Sequence, residues 1–318
     1  MSLPASLQHL RLPVICAPMF IVSNPALVAA QCKSGIVGSF PALNARGEGM
    51  LDKWLTDLQS ELVADKAAGG TPAPFAVNQI VHPSNTRLVE DITVCLKHQV
   101  PVFITSLQAP PKELVDGAHA YGGIVLHDVI NVRHAKKAIE AGVDGLILVC
   151  AGAGGHAGML SPFALVGEIR KFYDGLIVLS GAIATGDAIL GAQAMGADLA
   201  YMGTRFICTT EANADEAYKK GIIDAAANDV IYTNLFTGVH GNYLRESIVN
   251  AGLNPDDLPV ADKTKMNFGS GGNSAAKAWK DIWGVGQGVG LIDDAPTTAE
   301  LVNHLESEYS AARARIAL

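Results

Sequence analysis

The sequence has few charged residues and no long basic run, and each shortage excludes a class of protein. Asp, Glu, Lys and Arg make up 17% of its 318 residues, against a usual ~25%, whereas apolar residues make up 49%. A chain of this composition can bury a large core, which excludes global disorder. Its formal net charge is −8, and no basic run is longer than two residues. It therefore lacks the electrostatic footprint of a nucleic-acid-binding protein.

Cysteine is also sparse, and its spacing excludes two kinds of site. The cysteines are five in number: Cys16, Cys32, Cys95, Cys150 and Cys208. They form no CxxC pair, and no HExxH motif is present, so neither a disulfide framework nor a metal site is predicted. Such cysteines are typical of buried positions in a reducing compartment. The N-terminus has no basic start followed by an apolar run, so we expect a cytoplasmic protein without a signal peptide.

Short apolar runs alternate with amphipathic stretches through the first two-thirds of the chain. The runs are continuous, a pattern typical of parallel strands buried on both faces. They lie mostly 21 to 31 residues apart, which leaves room for one βα unit each. The uncharged stretch 145–167 contains six glycines, so it is interpreted as a strand, a loop and a helix start, and no membrane association is expected. The predicted strands are 14–19, 36–40, 75–81, 102–107, 123–129, 145–150, 175–181 and 199–204.

Eight βα units predict an α/β protein with a (β/α)8 TIM barrel. The alternative is a doubly wound open sheet, but no GxGxxG motif opens a helix after the first strand. Residues 210–275 are richer in Asn, Asp and Lys, and we expect them to form a small domain inserted before the last barrel helix. The predicted division is a barrel over 1–209, the insert over 210–275, and a return segment with the last helix over 276–318.

In a barrel, active sites lie at the carboxyl ends of the strands. Glycines and a hydroxyl follow the last two predicted strands at Gly181, Ala182, Gly203 and Thr204. This is the place where barrels commonly bind phosphate through backbone N–H groups. The alternative is that these residues only make tight turns. The amides of Asn78 and the neighbouring Gln79, at another strand end, can bond a heterocycle edge or tie down their own loop.

The loop after the sixth strand carries the most specific signal. Four glycines in seven residues, 152–158, surround His156, and histidine is the usual proton acceptor near neutral pH. The alternative is a structural histidine, but the glycine-rich setting at the catalytic face favours a catalytic role. Cys150, one residue before the loop, is interpreted as buried packing in preference to a nucleophile.

The motifs that carry this pattern are PVICAPM, PFAVN, AGAGGHAG, LSGAIATG, MGTRF and VGQGVGLIDD (285–294). In this order the sequence resembles the nitronate monooxygenase (2-nitropropane dioxygenase-like) family of FMN-dependent TIM barrels. The resemblance implies that 1–209 binds FMN and that His156 is the active-site histidine. The cofactor-binding residues that it implies are Ala17, Pro18, Met19, Asn78, His127, Gly154, Gly155, Gly181, Ala182, Gly203, Thr204 and Gln287.

Two positions depart from the family pattern. Many relatives carry a lysine near the flavin where this chain has Asp128, and a cation there stabilises the reduced ring. The resemblance therefore implies either that Asp128 points away or that His127 takes the cationic role. Ala182 replaces a commoner glycine, which a contact made only by the backbone tolerates.

The resemblance implies a nitronate monooxygenase that converts alkyl nitronates, such as propionate 3-nitronate, and O2 into a carbonyl compound and nitrite. His156 would orient the anion, or act as base on a neutral nitroalkane. One alternative is an NAD(P)H-dependent flavin oxidoreductase acting on quinones or enoyl thioesters. Another is a flavin-binding protein without turnover. The expected partners are a small-molecule substrate and O2, and the apolar composition is compatible with a homodimer.

Overall fold

The computed structural model describes residues 3–261 and 280–316. Residues 262–275 of the predicted insert and 276–279 of the predicted return segment lie outside the described residues. The strands of the described part are β1 Val14–Cys16, β2 Gly38–Pro41, β3 Phe75–Val81, β4 Val102–Leu107, β5 Ile124–Val129, β6 Gly145–Val149, β7 Gly155–His156, β8 Leu176–Ser180, β9 Leu199–Met202, β10 Val230–Thr233 and β11 Gly241–Leu244.

Eight of these strands form one parallel sheet in the order β1-β9-β8-β6-β5-β4-β3-β2. The two edges meet next to Val37, whose carbonyl accepts from the Cys16 N–H at 2.8 Å and whose N–H donates to the Val14 carbonyl at 3.1 Å. The sheet therefore closes into a (β/α)8 TIM barrel, and all eight predicted strands are confirmed. Closure removes the two free edges of this eight-stranded sheet.

Helices connect the strands and form the outer layer of the barrel. Several begin at a side-chain cap; for example, Asn131 Oδ1 accepts from the His134 N–H at 2.8 Å. Such a cap satisfies one of the backbone donors that a helix start leaves unpaired. The helices are α1 Pro25–Lys33, α2 Met50–Ala67, α3 Leu88–Lys97, α4 Lys112–His119, α5 Val132–Glu140, α6 Pro162–Arg170, α7 Gly186–Ala194, α8 Thr204–Ile207, α9 Glu216–Ile223, α10 Arg245–Asn250 and α11 Thr298–Ile316.

The core has two apolar layers because successive strand side chains point to opposite faces. In β5, Leu126 packs inside the barrel with Ile104 and Ile147, whereas Val125 packs outward against the helices. Both layers are buried, which explains why the strands appear in the sequence as continuous apolar runs. Among residues 3–261 and 280–316, no helix combines the length and apolarity needed to cross a membrane.

The described residues after β9 return to the barrel mouth. Strands β10 and β11 form an antiparallel pair, and β11 also pairs with β7 in the loop after β6. A short 3-10 helix, Gln287–Leu291, then precedes α11, which packs against α7 and α1. The segment after the barrel's last strand therefore contributes directly to the loop layer at the carboxyl ends of the strands. The division of the chain into three parts stays a prediction.

Candidate functional site

A cavity of about 420 Å³ opens at the carboxyl ends of the barrel strands. Pockets for small organic ligands usually measure ~300–1,000 Å³ and are mostly apolar with a few polar groups. This lining follows that pattern. The sequence-predicted residues that line it are Ala17, Pro18, Met19, Asn78, Gly154, Gly155, His156, Gly203 and Thr204. The other predicted residues, His127, Gly181, Ala182 and Gln287, are not part of the lining.

The bottom of the cavity is a ring of polar side chains, here called the cavity floor. Its members are Asn78 on β3, Ser106 on β4, Asp128 on β5, Ser180 on β8 and Tyr201 on β9. Each lies two residues after an inward-facing apolar residue of its strand. Asn78 follows Ala76 in this way, and Ser180 follows Val178. Ser106, Ser180 and Tyr201 were missed in the sequence. Counting by two along a strand finds them only once one inward residue is known, and a continuous apolar run does not show which residues face inward.

The side chain of Asn78 on the cavity floor is hydrogen-bonded within the protein. The Asn78 Nδ2 group donates to the Ile104 carbonyl and to Ser106 Oγ, each at 3.3 Å. These bonds orient the Asn78 amide, and its Oδ1 accepts no hydrogen bond from the described residues. An oriented acceptor at the cavity surface suits the N–H edge of a heterocycle.

His127 and Asp128 face opposite sides of β5. The His127 ring lies 2.8 Å from Thr105 Oγ1 on the outer side of the barrel, where burial lowers its pKa to about 4. Asp128 lies on the inner side and lines the cavity. The His127 ring therefore faces away from the cavity in which a flavin would lie, and Asp128 faces into it. The physical reason is the two-residue period of a strand.

Two buried oxygens on the floor lack partners in the described part of the chain. They are Asp128 Oδ1 and the hydroxyl of Tyr201, whose side chain is only 7% exposed. Burial raises the pKa of Asp128 to about 7. An unsatisfied buried polar group costs about 1–3 kcal/mol, and both oxygens belong to residues that line the cavity. A ligand with matching polar atoms would satisfy them, so the floor fits a polar ring.

His156 is fixed in the cavity by a strand from outside the barrel. Its backbone belongs to β7, which pairs with β11 through Gly241 opposite His156 and Asn242 opposite Gly155. Asn242 Nδ2 also donates to the Ala153 carbonyl at 2.7 Å. The glycine-rich loop is therefore held from both backbone and side chain. The loop sequence contains no sign of this pairing, because its partner lies about 85 residues further along the chain.

The His156 ring is oriented by Thr237. The His156 Nε2 atom lies 2.8 Å from Thr237 Oγ1, and that hydroxyl also donates to the Val239 carbonyl at 3.0 Å. Burial lowers the pKa of His156 to about 4, so the imidazole is uncharged at neutral pH.

The predicted phosphate site is partly open. A Cβ added at Gly203 would meet no atom closer than 3.5 Å, so the backbone there can be approached. Thr204 Oγ1 accepts from the Gly286 N–H at 2.9 Å, which leaves its own proton to donate to an anion. Among the described residues, no lysine or arginine lines the cavity, so a phosphate here would depend on backbone and hydroxyl donors.

Gly152 links the other predicted phosphate residues to the segment after the insert. Its carbonyl accepts from the Ala182 N–H at 3.2 Å and from the Gln287 N–H at 2.9 Å. Gly154 packs so closely on this segment that a Cβ would lie 2.8 Å from the Gly286 nitrogen. Ala182 has a φ of 54°, in the left-handed region that favours glycine. Glycine would adopt this conformation without the strain that a Cβ imposes.

A loop after β1 forms one wall of the cavity and contains Ala17, Pro18 and Met19. Asn44 holds it by accepting from the Ile21 N–H at 2.9 Å and by donating to the Met19 and Ser23 carbonyls at 3.0 and 2.8 Å. Asn44 was missed in the sequence, where nothing distinguishes it from an ordinary loop asparagine. Its three bonds give the wall a defined shape.

Cys150 faces away from the cavity, in the layer between strands and helices. Burial raises the pKa of its thiol to about 12, whereas a nucleophilic cysteine needs a lowered pKa. The packing interpretation of Cys150 therefore agrees with the structure. Within the described residues, no group of His, Cys, Asp and Glu is arranged to hold a metal ion.

Comparison with known proteins gives one family. A family model described as nitronate monooxygenase matches residues 4–308. A nitronate monooxygenase of Paraburkholderia phytofirmans is 28% identical over 342 aligned positions, which cover 93% of this chain and 92% of that protein.

Solved structures share the fold. FabK from Thermotoga maritima has a TM-score of 0.76 at 23% identity and covers 98% of this chain and 96% of its own. A nitroalkane oxidase from Streptomyces ansochromogenes has a TM-score of 0.74 at 21% identity, with 98% and 100% covered. At these identities the likeness shows the fold alone.

Proposed function

The chain belongs to the nitronate monooxygenase family, and from this premise we propose that it is an FMN-dependent nitronate monooxygenase. Family membership makes the protein a flavin-dependent oxidoreductase that acts on a small molecule. FMN as the particular flavin and alkyl nitronates as the substrates are the proposal. The reaction converts a nitronate, such as propionate 3-nitronate, and O2 into a carbonyl compound and nitrite.

The observation that carries the proposal is the placement of His156 in the same cavity as the polar floor. The ring is held by Thr237 and is neutral, so it acts by hydrogen bonding and not by charge. A base with a pKa of about 4 is poorly matched to proton abstraction at neutral pH. This favours a substrate that arrives already deprotonated, as a nitronate does, over a neutral nitroalkane.

FMN fits the residues that line the cavity. Asn78 would bond the ring edge, the backbone of Gly154 and Gly155 would lie beside it, and Gly203 with Thr204 would hold the phosphate. FMN supplies the one-electron redox chemistry by which a nitronate and O2 react. Ala182 and Gln287 stand behind this contact layer, where their N–H groups donate to the Gly152 carbonyl. Gly181 packs on the same loop, since a Cβ there would lie 2.7 Å from the Ala151 carbonyl oxygen.

The protein's own part is positioning and exclusion of water. Phe20, Val22, Leu43 and Ile207 line the cavity above the floor, and an apolar surround strengthens each hydrogen bond made inside it. His156 would then orient the nitronate anion. Ile130 and Leu107 stand at the mouth of the cavity with 38% and 37% of their surface exposed, which suits the alkyl part of a substrate.

The test measures O2 consumption and nitrite release by the FMN-loaded protein with propionate 3-nitronate and with propyl nitronate. We expect both activities in the wild type and a fall in kcat/KM of about 10²-fold in His156→Ala, because the nitronate loses the ring that orients it. The matched control is His240→Ala, because His240 is exposed, lies outside the cavity lining and stacks on Tyr232. This control is expected to keep wild-type turnover.

Two results would redirect the assignment. Anaerobic bleaching of the flavin absorbance by NADH or NADPH, without nitrite release from nitronates, would favour the NAD(P)H-dependent reductase. A yellow protein that responds to neither reagent would favour a flavin-binding protein without turnover. Full turnover in His156→Ala with FMN retained would refute the role given to His156.

A further inference from the structure

We propose that Asp128 and Tyr201 form a hydrogen-bonding site on the cavity floor, where Asp128 binds the flavin in its uncharged acid form. The proposal rests on the FMN part of the proposed function and not on the identity of the substrate. Both side chains point inward from the ends of β5 and β9 and line the cavity. The role is separate from that of His156, which belongs to the loop layer.

The first support is geometric. Asp128 Oδ1 and the Tyr201 hydroxyl are buried, and neither has a hydrogen-bond partner within residues 3–261 and 280–316. Tyr201 is 93% removed from solvent, being only 7% exposed. Buried polar atoms of folded proteins are nearly always bonded. Two such atoms on one cavity surface therefore indicate that their partners belong to a ligand.

The second support is the electrostatic setting of Asp128. Among the described residues, no lysine or arginine lines the cavity. The titratable side chains that do, besides Asp128, are His134, His156, Tyr201 and Tyr218. His127 is adjacent in sequence but faces the helix layer. With no cation to hold it ionised, burial raises the pKa of Asp128 to about 7.

The acid form changes what the site can bind. A protonated carboxyl has one O–H donor, whereas a carboxylate has only acceptors. Acid Asp128 and the Tyr201 hydroxyl thus present two O–H donors to the cavity. They are suited to the acceptor atoms of a heterocycle edge, and a buried carboxylic acid kept neutral is a known way to place such a donor.

The position on the floor favours the cofactor over the substrate as the ligand. Asp128 and Tyr201 stand on barrel strands, whereas His156 stands on β7 in the loop layer and is paired with β11. A nitronate that His156 orients occupies the loop side of the cavity. The group that covers the floor is then the flavin.

The test is FMN binding to the flavin-free full-length protein, followed by quenching of FMN fluorescence from pH 6 to 8.5. The proteins are the wild type, Asp128→Asn, which stays neutral at every pH, and Tyr201→Phe, which lacks the hydroxyl. The ratio of the wild-type Kd to the Asp128→Asn Kd is taken at each pH, because the FMN phosphate titrates equally in both. Circular dichroism checks that each variant is folded.

We expect this ratio to be constant below about pH 7 and to rise by up to about 10-fold per pH unit above it. Tyr201→Phe is expected to raise Kd about 10-fold at every pH, by loss of one hydrogen bond to a buried partner, and to keep the pH dependence. The control is Gln79→Met. Gln79 Oε1 is also buried without a described partner, but Gln79 faces the helix layer and bonds Cys95. Its profile should match the wild type.

Each of the following results would overturn the proposal, and each identifies a different part of it as wrong. A ratio that is constant or falls with pH shows that Asp128 does not bind FMN as an acid. An unchanged Kd in Tyr201→Phe removes the second donor. A second arm measures the KM for propyl nitronate with FMN saturating, and a pH-dependent ratio seen only there assigns the site to the substrate. If the wild type binds no FMN at any pH, the proposed function fails together with this site.

Discussion

Replacement of Asp128 by asparagine should remove a pH dependence from the stability of the flavin-free protein. The carboxyl has an ordinary pKa of 3.8, and burial raises it to about 7 in the folded state. The folded protein therefore holds a proton that the unfolded chain releases. The stability that this proton contributes is fully present below pH 3.8 and is lost as the pH rises through about 7.

The size of the effect follows from the two pKa values. A difference of one pKa unit corresponds to about 1.4 kcal/mol, so the folded protein should lose roughly 2.5 kcal/mol between pH 5 and pH 8 from this group alone. His127 and His156 have pKa values lowered to about 4 by burial. Their contribution has the opposite sign, but it is present in both proteins and cancels in the difference.

The assay is urea unfolding at pH 5, 6, 7 and 8, followed by tryptophan fluorescence, on the wild type and Asp128→Asn. The difference in free energy of unfolding, wild type minus variant, should fall steadily with pH by about 2–3 kcal/mol. Gln79→Met keeps Asp128 and should follow the wild type. Parallel curves for the wild type and Asp128→Asn would show that the carboxyl is not desolvated, and the reasoning would be refuted.

Three further predictions concern the loops of the site. Thr237→Val should lower kcat/KM about 10-fold with FMN affinity unchanged, because His156 loses its hydroxyl partner. Thr237→Ser keeps a hydroxyl and should restore kcat/KM. An unaltered kcat/KM in Thr237→Val would contradict the positioning role. Ala182→Gly should raise the free energy of unfolding by about 0.5–1 kcal/mol in urea, since φ is 54° there, and a lower value would count against strain. Gly154→Ala should weaken FMN binding by about 10-fold or more in a fluorescence titration, because its Cβ would lie 2.8 Å from the Gly286 nitrogen. Gly167→Ala, whose Cβ would meet nothing within 4 Å, is the control, and equal affinities would refute the close-packing explanation.

The barrel was predictable because its strands are buried on both faces. Two apolar layers require continuous apolar runs, and helices between parallel strands require regular spacing. The same reasoning located the strand ends, where Asn78, Gly203 and Thr204 line the cavity. His156 was recognisable because a histidine among several glycines is an uncommon local pattern. These are all properties of short sequence segments.

The sequence by itself therefore determined the barrel, its eight strands and the end at which the cavity opens. Only the tertiary structure decided that Asp128 and not His127 faces this cavity, because a strand buried on both sides carries no hydrophobic alternation to show its inward face. Only the tertiary structure brought Thr237 to His156, 81 residues away in the chain. That contact depends on β11 pairing with β7, and a pairing between distant segments is fixed by the closed fold and not by any local pattern.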